Sequence, residues 1–388
     1  MLALLAPLFG FLGWAILSAG WSAIPGFSLA QAFSLVVLLL LSAVIGSLWR
    51  DERDTRTLLL HLALALLVVA TAILAVDRIN HDISGMNRDD HLFEQGSIGL
   101  VHPTSAGATA SLGLVLVTGP WLLWGWTWTR RLLVPALVIH SALLVLAMSR
   151  MALGMAVLVV GLILLWFSPK RALAAGVFAG CVGGLLYLVI DPELSLVESL
   201  ARQTSSSVSR GESAESLTSL TGRTALWDAI WVEIWQSPLI GHGYFVTSRK
   251  GLLDVWSGPA NRSAHNVFLQ VQVTTGLVGL LLFLWGFGQV ALAVVRAALS
   301  RTRRRPEPLL GFLAVMAIWY AGWSQLCESF MGSVQPEAVV FYCVLGLALG
   351  MASRHRVAAS TVPASGAAEV ETVIPRPTSP IRREVAAS

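Results

Sequence analysis

Charge is scarce in this chain. Of 388 residues only 12% are Asp, Glu, Lys or Arg, while 55% are hydrophobic and the mean hydropathy is +0.72. Soluble domains carry roughly 25% charge. The deficit excludes an ordinary soluble enzyme and makes the bilayer the main solvent. Cysteine is also sparse. Cys181, Cys327 and Cys343 all lie in or beside apolar runs, with neither disulfide-framework nor metal spacing, and read as small core residues. No basic n-region with a cleavage site opens the chain, so the apolar run near Met1 reads as a span rather than a signal peptide. No P-loop, HExxH, GxSxG or nucleotide-binding glycine fingerprint stands at a plausible place, which argues against an ATPase, a zinc protease or a hydrolase. The formal charge of +4 and the pI near 9.3 come from arginines in loops. Without a basic stripe and interleaved aromatics, no nucleic-acid partner is expected.

What is present is a series of long apolar runs. They lie near 2–20, 28–48, 58–76, 105–127, 132–149, 151–168, 172–190, 265–295, 309–328 and 335–353. The expected fold class is an all-α polytopic membrane protein with about ten transmembrane helices. Arginines orient the runs. Arg50, Arg53 and Arg56 follow the second, Arg130 and Arg131 the fourth, and Lys170 and Arg171 the sixth. Arg296, Arg301, Arg303, Arg304 and Arg305 follow the eighth, and Arg354 and Arg356 the tenth. These loops alternate, so the positive-inside rule places them and both termini in the cytoplasm.

The opposite side carries two longer segments, Asp77–Thr104 and Asp191–Ala264. The second begins Ser-rich, in "RQTSSSVSRGESAESLTS", and then changes character. In "LTGRTALWDAIWVEIWQSP" the residues Trp227, Ile230, Trp231, Ile234 and Trp235 recur at helical spacing, and Pro238 marks the end. This amphipathic, Trp-rich helix in one large periplasmic loop is expected to lie at the outer membrane boundary or to roof the bundle. The organisation expected is a transmembrane bundle over 1–190, the periplasmic loop over 191–264, further spans over 265–353, and a disordered Ala/Pro/Ser/Thr-rich cytoplasmic tail over 354–388.

Polar residues gather on the outer face. Arg150, in "AMSRMALG", opposes the positive-inside bias and reads either as a snorkelling arginine or as an anion clamp. Arg223 lies one turn before Trp227. A cation in a first helical turn is unfavourable with the macrodipole unless an anion is near, although a solvated first-turn residue is the plain alternative. In "RSAHNVFLQ", Ser263 can cap the next helix and would place His265 and Asn266 in its first turn. The positive helix end disfavours imidazolium, so His265 is expected to be neutral and able to accept a proton, or else simply to close a helix end. Asn266 can orient a substrate or complete the cap. Glu328, in "SQLCESFMG", is an acid near the outer end of a span, functional or paired with an arginine. The loop "DDHLFE" holds His91 and Glu94 beside Asp89 and Asp90, but lacks a second histidine at metal spacing, so no metal is expected.

The succession "SRMAL" at 149–153, "LTGRTALWDAIWVEIWQSPLIGHGYF" at 220–245 and "AHNVFLQVQVTTGLVGLLLF" at 264–283 resembles the O-antigen ligase and polymerase superfamily. That superfamily includes O-antigen ligases, O-oligosaccharyltransferases and exopolysaccharide polymerases. The resemblance covers about 150–285 strongly. It implies a bacterial inner-membrane enzyme that moves a glycan from a polyprenyl-diphosphate carrier to a hydroxyl on a glycan or lipid-linked acceptor, with no cofactor. It maps the functional arginines to Arg150 and Arg223 and the functional histidine to His265. Arg262, Asn266, Glu328 and Trp227 are then expected to bind substrate. The "LTGRTALW" wording is nearest to the polymerases, and a ligase to lipid A-core is the alternative. Membrane lipids and export or chain-length-control proteins are the expected partners. A transporter, the competing class, would show polar or broken spans near the midplane, whereas here polar groups collect on one face. His242, in "GHGY", departs from the usual family pattern, and the runs are fewer than many members show.

Reporter fusions test this topology. Fusions at Arg53, Arg130 and Arg303 are expected to read cytoplasmic, and those at Asn87 and Ser206 periplasmic. A cytoplasmic signal at Ser206 would overturn the placement of all three functional residues.

Overall fold

A computed structural model describes residues 2–80, 103–124, 130–147, 149–167, 223–246, 263–299, 308–327, 330–332 and 334–361. Among these residues the fold is helical, with no strand. The helices are α1 (Leu2–Leu17), α2 (Pro25–Leu48), α3 (Glu52–Asn80), α4 (Pro103–Trp124), α5 (Arg130–Leu146) and α6 (Arg150–Phe167). They continue with α7 (Arg223–Gln236), α8 (Val267–Leu299), α9 (Pro308–Trp323) and α10 (Pro336–Thr361). Six of these are long and apolar enough to cross a membrane, and three apolar helices are shorter: Leu132–Leu146, Met151–Leu164 and Leu309–Trp323. This is a multi-pass membrane architecture. The expected span at 172–190, most of the Asp191–Ala264 segment and the His91 cluster lie outside the described residues. The last helix runs through Thr361, past the Arg354 where a tail was expected to begin. The stretch "RHRVAAST" contains no helix breaker before Pro363.

Small residues set the helix contacts. Gly346 of α10 lies on Ile45 and the Ser42 carbonyl of α2, and Gly350 lies on Trp49 and the Gly46 carbonyl. Ser42 Oγ donates to the Tyr342 carbonyl at 2.6 Å. Spaced small residues let two backbones approach closely, which is how helices associate where lipid removes the hydrophobic driving force. The order of these contacts makes α2 and α10 parallel, and it brings Arg354 over the Trp49 ring and onto the Arg50 carbonyl. Helix α8 runs antiparallel to α1, with Thr275 at Trp14, Leu282 at Gly10 and Gly286 at Leu8. Arg50, Arg296 and Arg354 therefore share one end of the bundle with the start of α1. In a second group, α4 and α6 are parallel through Gly107 on Ser149 and Ala152, and α5 seats His140 on Gly113. Helix α9 is antiparallel to both, with Trp319 Nε1 donating to Ser111 Oγ at 2.8 Å and Gly322 against Met155.

One span is not the continuous helix its hydropathy suggests. Helix α8 breaks at Gly276, where φ is 66° and ψ is −171°. Phe268 and Phe283 flank the break. In an unbroken helix they would lie about 22 Å apart along the axis, yet their ring centroids are 6.2 Å apart. The first arm, 267–275, thus folds back beside the second. Such a break frees backbone groups that lipid cannot satisfy. Residues 238–243 satisfy them. Leu277 N donates to the Pro238 carbonyl at 2.8 Å and Val278 N to the Leu239 carbonyl at 3.2 Å. His242 N donates to the Val273 carbonyl at 3.1 Å and Gly243 N to the Thr274 carbonyl at 2.9 Å. Trp14 Nε1 donates to the Thr275 carbonyl at 2.9 Å.

Of the segment 238–246, expected within an external loop, residues 241–246 therefore lie in or against the core, while Pro238, Leu239 and Ile240 stay exposed. Tyr244, Phe245 and Val246 are buried, and Phe245 packs under Gly332. Its sequence "PLIGHGYFV" explains why: it is apolar, and its glycines permit backbone-to-backbone contact. Gly241 adopts φ 67°, and a Cβ there would meet the Thr274 backbone. A Cβ on Gly276 would meet the Leu239 carbonyl.

Alanine at Gly276 or Gly241 combines a left-handed φ with a clash against main chain. Each is expected to cost at least about 2 kcal/mol. Thermal unfolding in detergent checks this. Alanine at Gly13, which meets nothing within 4 Å, is the control and should leave the midpoint unchanged.

Candidate functional site

Two helix starts lie at the end of α9, and a third helix packs by its first turns on the segment that leads into one of them. The first belongs to α6. Ser149 caps it, with Ala152 N donating to Ser149 Oγ at 3.4 Å and Leu153 N to the Ser149 carbonyl at 3.0 Å. That cap makes Arg150 the first helical residue. One turn on, Met155 lies against Gly322 at the end of α9. The second start is α8. Val267 N donates to the Ser324 carbonyl at 2.9 Å, and Asn266 Nδ2 to the Gln325 carbonyl at 3.1 Å. The third is α7, which begins at Arg223. One turn later, Trp227 Nε1 donates to the Ala264 carbonyl at 3.0 Å. The fold thus assembles at one end the helix starts that carry Arg150 and Arg223 and the turn that carries His265. That end is opposite Arg50, Arg296 and Arg354.

The turn itself differs from expectation. Ser263 is not the cap. Asn266 is, its Oδ1 accepting from Phe268 N at 2.9 Å and Leu269 N at 3.1 Å. The helix proper starts at Val267, so His265 precedes the cap instead of sitting in the first turn. Its backbone is left-handed, with φ 48°, a conformation that costs a non-glycine residue roughly 1–2 kcal/mol. His265 is half-buried, and its Nδ1 lies 3.5 Å from Ser263 Oγ. The amide of Asn266 is engaged at both ends in holding structure, and the residue is 9% exposed. Trp227 likewise spends its N–H on the turn.

Helix α7 packs with a different face from the one its tryptophans suggest. Leu226, Ile230 and Ile234 are buried against Ala264 and Val273, with Trp227 at the border. Trp231 and Trp235 are 44% and 74% exposed. The buried row is offset by one residue from the tryptophans, about 100° around the helix, and packs on Ala264 and Val273. His242 fastens the far end of α7, its Nε2 donating to the Glu233 carbonyl at 2.9 Å. A histidine there satisfies an otherwise orphaned carbonyl in the last turn.

Arg262 and Glu328, and the side chains of Arg150 and Arg223, lie outside the described residues. Among the described residues no cluster of three His, Cys, Asp or Glu could hold a metal. Sequence reasoning missed two residues. Gln270 is fully buried, and its Oε1 accepts from Ala264 N at 2.8 Å. Glu337 is 1% exposed in the first turn of α10, and its carbonyl accepts from Tyr320 Oη at 2.7 Å. The "QPE" run before an apolar stretch was the available signal for Glu337, since Pro followed by an acid marks a helix start.

If the left-handed turn is strained, glycine should relieve it. His265→Gly is expected to unfold at a higher temperature than His265→Ala, by the equivalent of about 1 kcal/mol. Equal midpoints would show that the turn carries no strain.

Residues 135–284 match the family model for O-antigen ligase. The match spans α6, α7, the turn that carries His265 and the interlocked break of α8. None of the curated proteins compared with the chain matches it. Over residues 135–284, less than half of its length, this multi-pass membrane protein is thus similar to the O-antigen ligases.

Proposed function

We propose that this protein acts at the periplasmic face of a bacterial inner membrane as a polysaccharide polymerase. It takes a polyprenyl-diphosphate-linked glycan and passes it to an acceptor hydroxyl. The observation that carries this reading is that two helix starts lie at the end of α9 and a third helix packs by its first turns beside them, two of the three led by arginine. Each helix start presents about half a positive charge and free N–H groups, which favour an anion. Two arginines placed there oppose the macrodipole, and a diphosphate relieves that conflict. Arginine forks match phosphate oxygens bidentately and cannot deprotonate.

The chemistry is a direct displacement. The acceptor oxygen attacks the anomeric carbon, and the bond from that carbon to the diphosphate oxygen breaks. The diphosphate leaves with the electron pair, steadied by Arg150 and Arg223. His265 takes the hydroxyl proton as general base. The anomeric carbon inverts, and these steps call on no metal. Arg262 and Glu328 are assigned to binding the glycan, with Trp227 and Asn266 lining the entrance.

In this reading the chain has about ten spans, over 1–190 and 265–353, both termini are cytoplasmic, and 191–264 faces the periplasm. Arg50, Arg296 and Arg354 share the end opposite His265, which supports that orientation. The outward Trp231 and Trp235 suit the lipid headgroup layer. The "LTGRTALW" stretch favours polymerase. Proteins of export and chain-length control are then the natural neighbours.

His265→Ala is expected to lower transfer roughly 10²–10⁴-fold while leaving donor binding nearly intact. Arg150→Ala and Arg223→Ala should weaken donor binding, with only partial recovery by Lys. Purified protein in nanodiscs, with binding and transfer measured separately, decides. Near-normal transfer by His265→Ala would sink the assignment of the base. In cells, loss of a polymerase leaves single repeat units on the carrier, whereas accumulation of long carrier-linked chains would make the protein a ligase.

A further inference from the structure

The stretch that carries His265 ends at Gln270, and the fold ties its two ends together. Gln270 is fully buried one turn into α8, yet its side chain reaches back to Ala264, the residue before His265. In the next peptide unit, the Ala264 carbonyl receives the Trp227 indole N–H from α7. Ala264 is thus held at both its N–H and its carbonyl by two side chains from different helices, and is itself fully buried. His265 follows with φ 48°, and Asn266 and Val267 are then pinned to the Gln325 and Ser324 carbonyls. A left-handed non-glycine residue persists only where its surroundings over-determine it. Here four hydrogen bonds on its flanking residues do so.

We propose that Gln270 and Trp227 are positioning residues for His265: together they lock the peptide groups on either side of Ala264, and so fix the direction in which the imidazole meets the acceptor hydroxyl. Trp227 then does not bind substrate through its N–H. Because α7 also begins with Arg223, the same indole bond sets the spacing between the helix start that meets the diphosphate and the histidine that accepts the proton. This inference rests on His265 acting as the base in the proposed reaction. Gln270 is suited to the task because it offers an acceptor oxygen to a buried N–H without burying a charge, and a glutamic acid that the same burial keeps protonated offers the same oxygen. A methyl-ended side chain of the same length would fill the space and leave that N–H unpaired.

The test uses full-length protein in nanodiscs, with lipid-linked glycan extracted from a strain lacking the gene as donor. Gln270→Met removes the acceptor oxygen, Gln270→Glu keeps one, and Trp227→Phe keeps a ring but removes the N–H. A misplacement of about 1 Å can cost on the order of 100-fold in rate. Gln270→Met and Trp227→Phe are therefore expected to lower kcat about 10- to 100-fold with donor KM changed less than about 2-fold. Gln270→Glu should recover most of that rate. In a His265→Ala background neither change should reduce the residual rate further, since there is no base left to position. The inference is overturned if the loss falls on KM, if it merely follows the loss of folded protein, if Gln270→Glu is no better than Gln270→Met, or if the same factor persists without His265. Should His265→Ala itself transfer normally, the base assignment falls and this inference falls with it. If the residual rate is too low to read, the split between kcat and KM and the glutamate rescue decide alone.

Discussion

A peptide group at membrane depth has no water to turn to, and the rest of this structure depends on how that constraint is met at one place. Helix α8 stops and restarts at Gly276. The carbonyls of its first arm and the N–H groups of its second would be orphaned in lipid. The segment 238–243 supplies four backbone partners, and Trp14 a fifth. Because that segment must lie directly on main chain, glycine is required on both sides of the contact, at Gly241 and Gly276. The runs "PLIGHGY" and "TTGLVG", which look in sequence like a loop and a span, are two halves of one joint.

The joint has a consequence at the far end of the first arm. Folding back at Gly276 carries residues 263–267 to the end of α9, beside the start of α6, and α7 packs onto them. His265 therefore sits in a turn that side chains of α7 and α8 and carbonyls at the end of α9 all hold. The same geometry explains why α7 packs through Leu226, Ile230 and Ile234: these residues lie against Ala264 and Val273, on the arm that the break has displaced. Trp231 and Trp235 are left facing outward.

Polar economy runs through the candidate site. Asn266, a natural candidate for substrate contact, spends its amide on capping α8 and tying it to α9. Trp227 and Gln270 spend theirs on Ala264. Ser149 spends its hydroxyl on the start of α6, which makes Arg150 the leading residue of that helix. Around the three residues that the resemblance marks as functional, the neighbouring polar side chains hold backbone.

By itself the sequence determined the class of protein and the position of most helices, because bilayer thickness and the exclusion of charge from it leave a signature in composition that needs no tertiary information. It also determined which residues stand at helix starts, since capping residues, Pro and the edges of apolar runs are local. It placed Arg150, Arg223 and His265 at such edges. What it could not settle was local detail that depends on neighbours. Ser263 and Asn266 are both good caps, and only the Gln325 carbonyl beside Asn266 decides between them. The Trp stripe of α7 and its aliphatic row differ by one position, and only the contact with Ala264 and Val273 shows which row packs. The break at Gly276 was hidden for the same reason. Glycine permits a left-handed residue without requiring it, and the partners that make a broken helix tolerable in a membrane lie some thirty residues away in the chain, in a segment that hydropathy alone assigns to the outside.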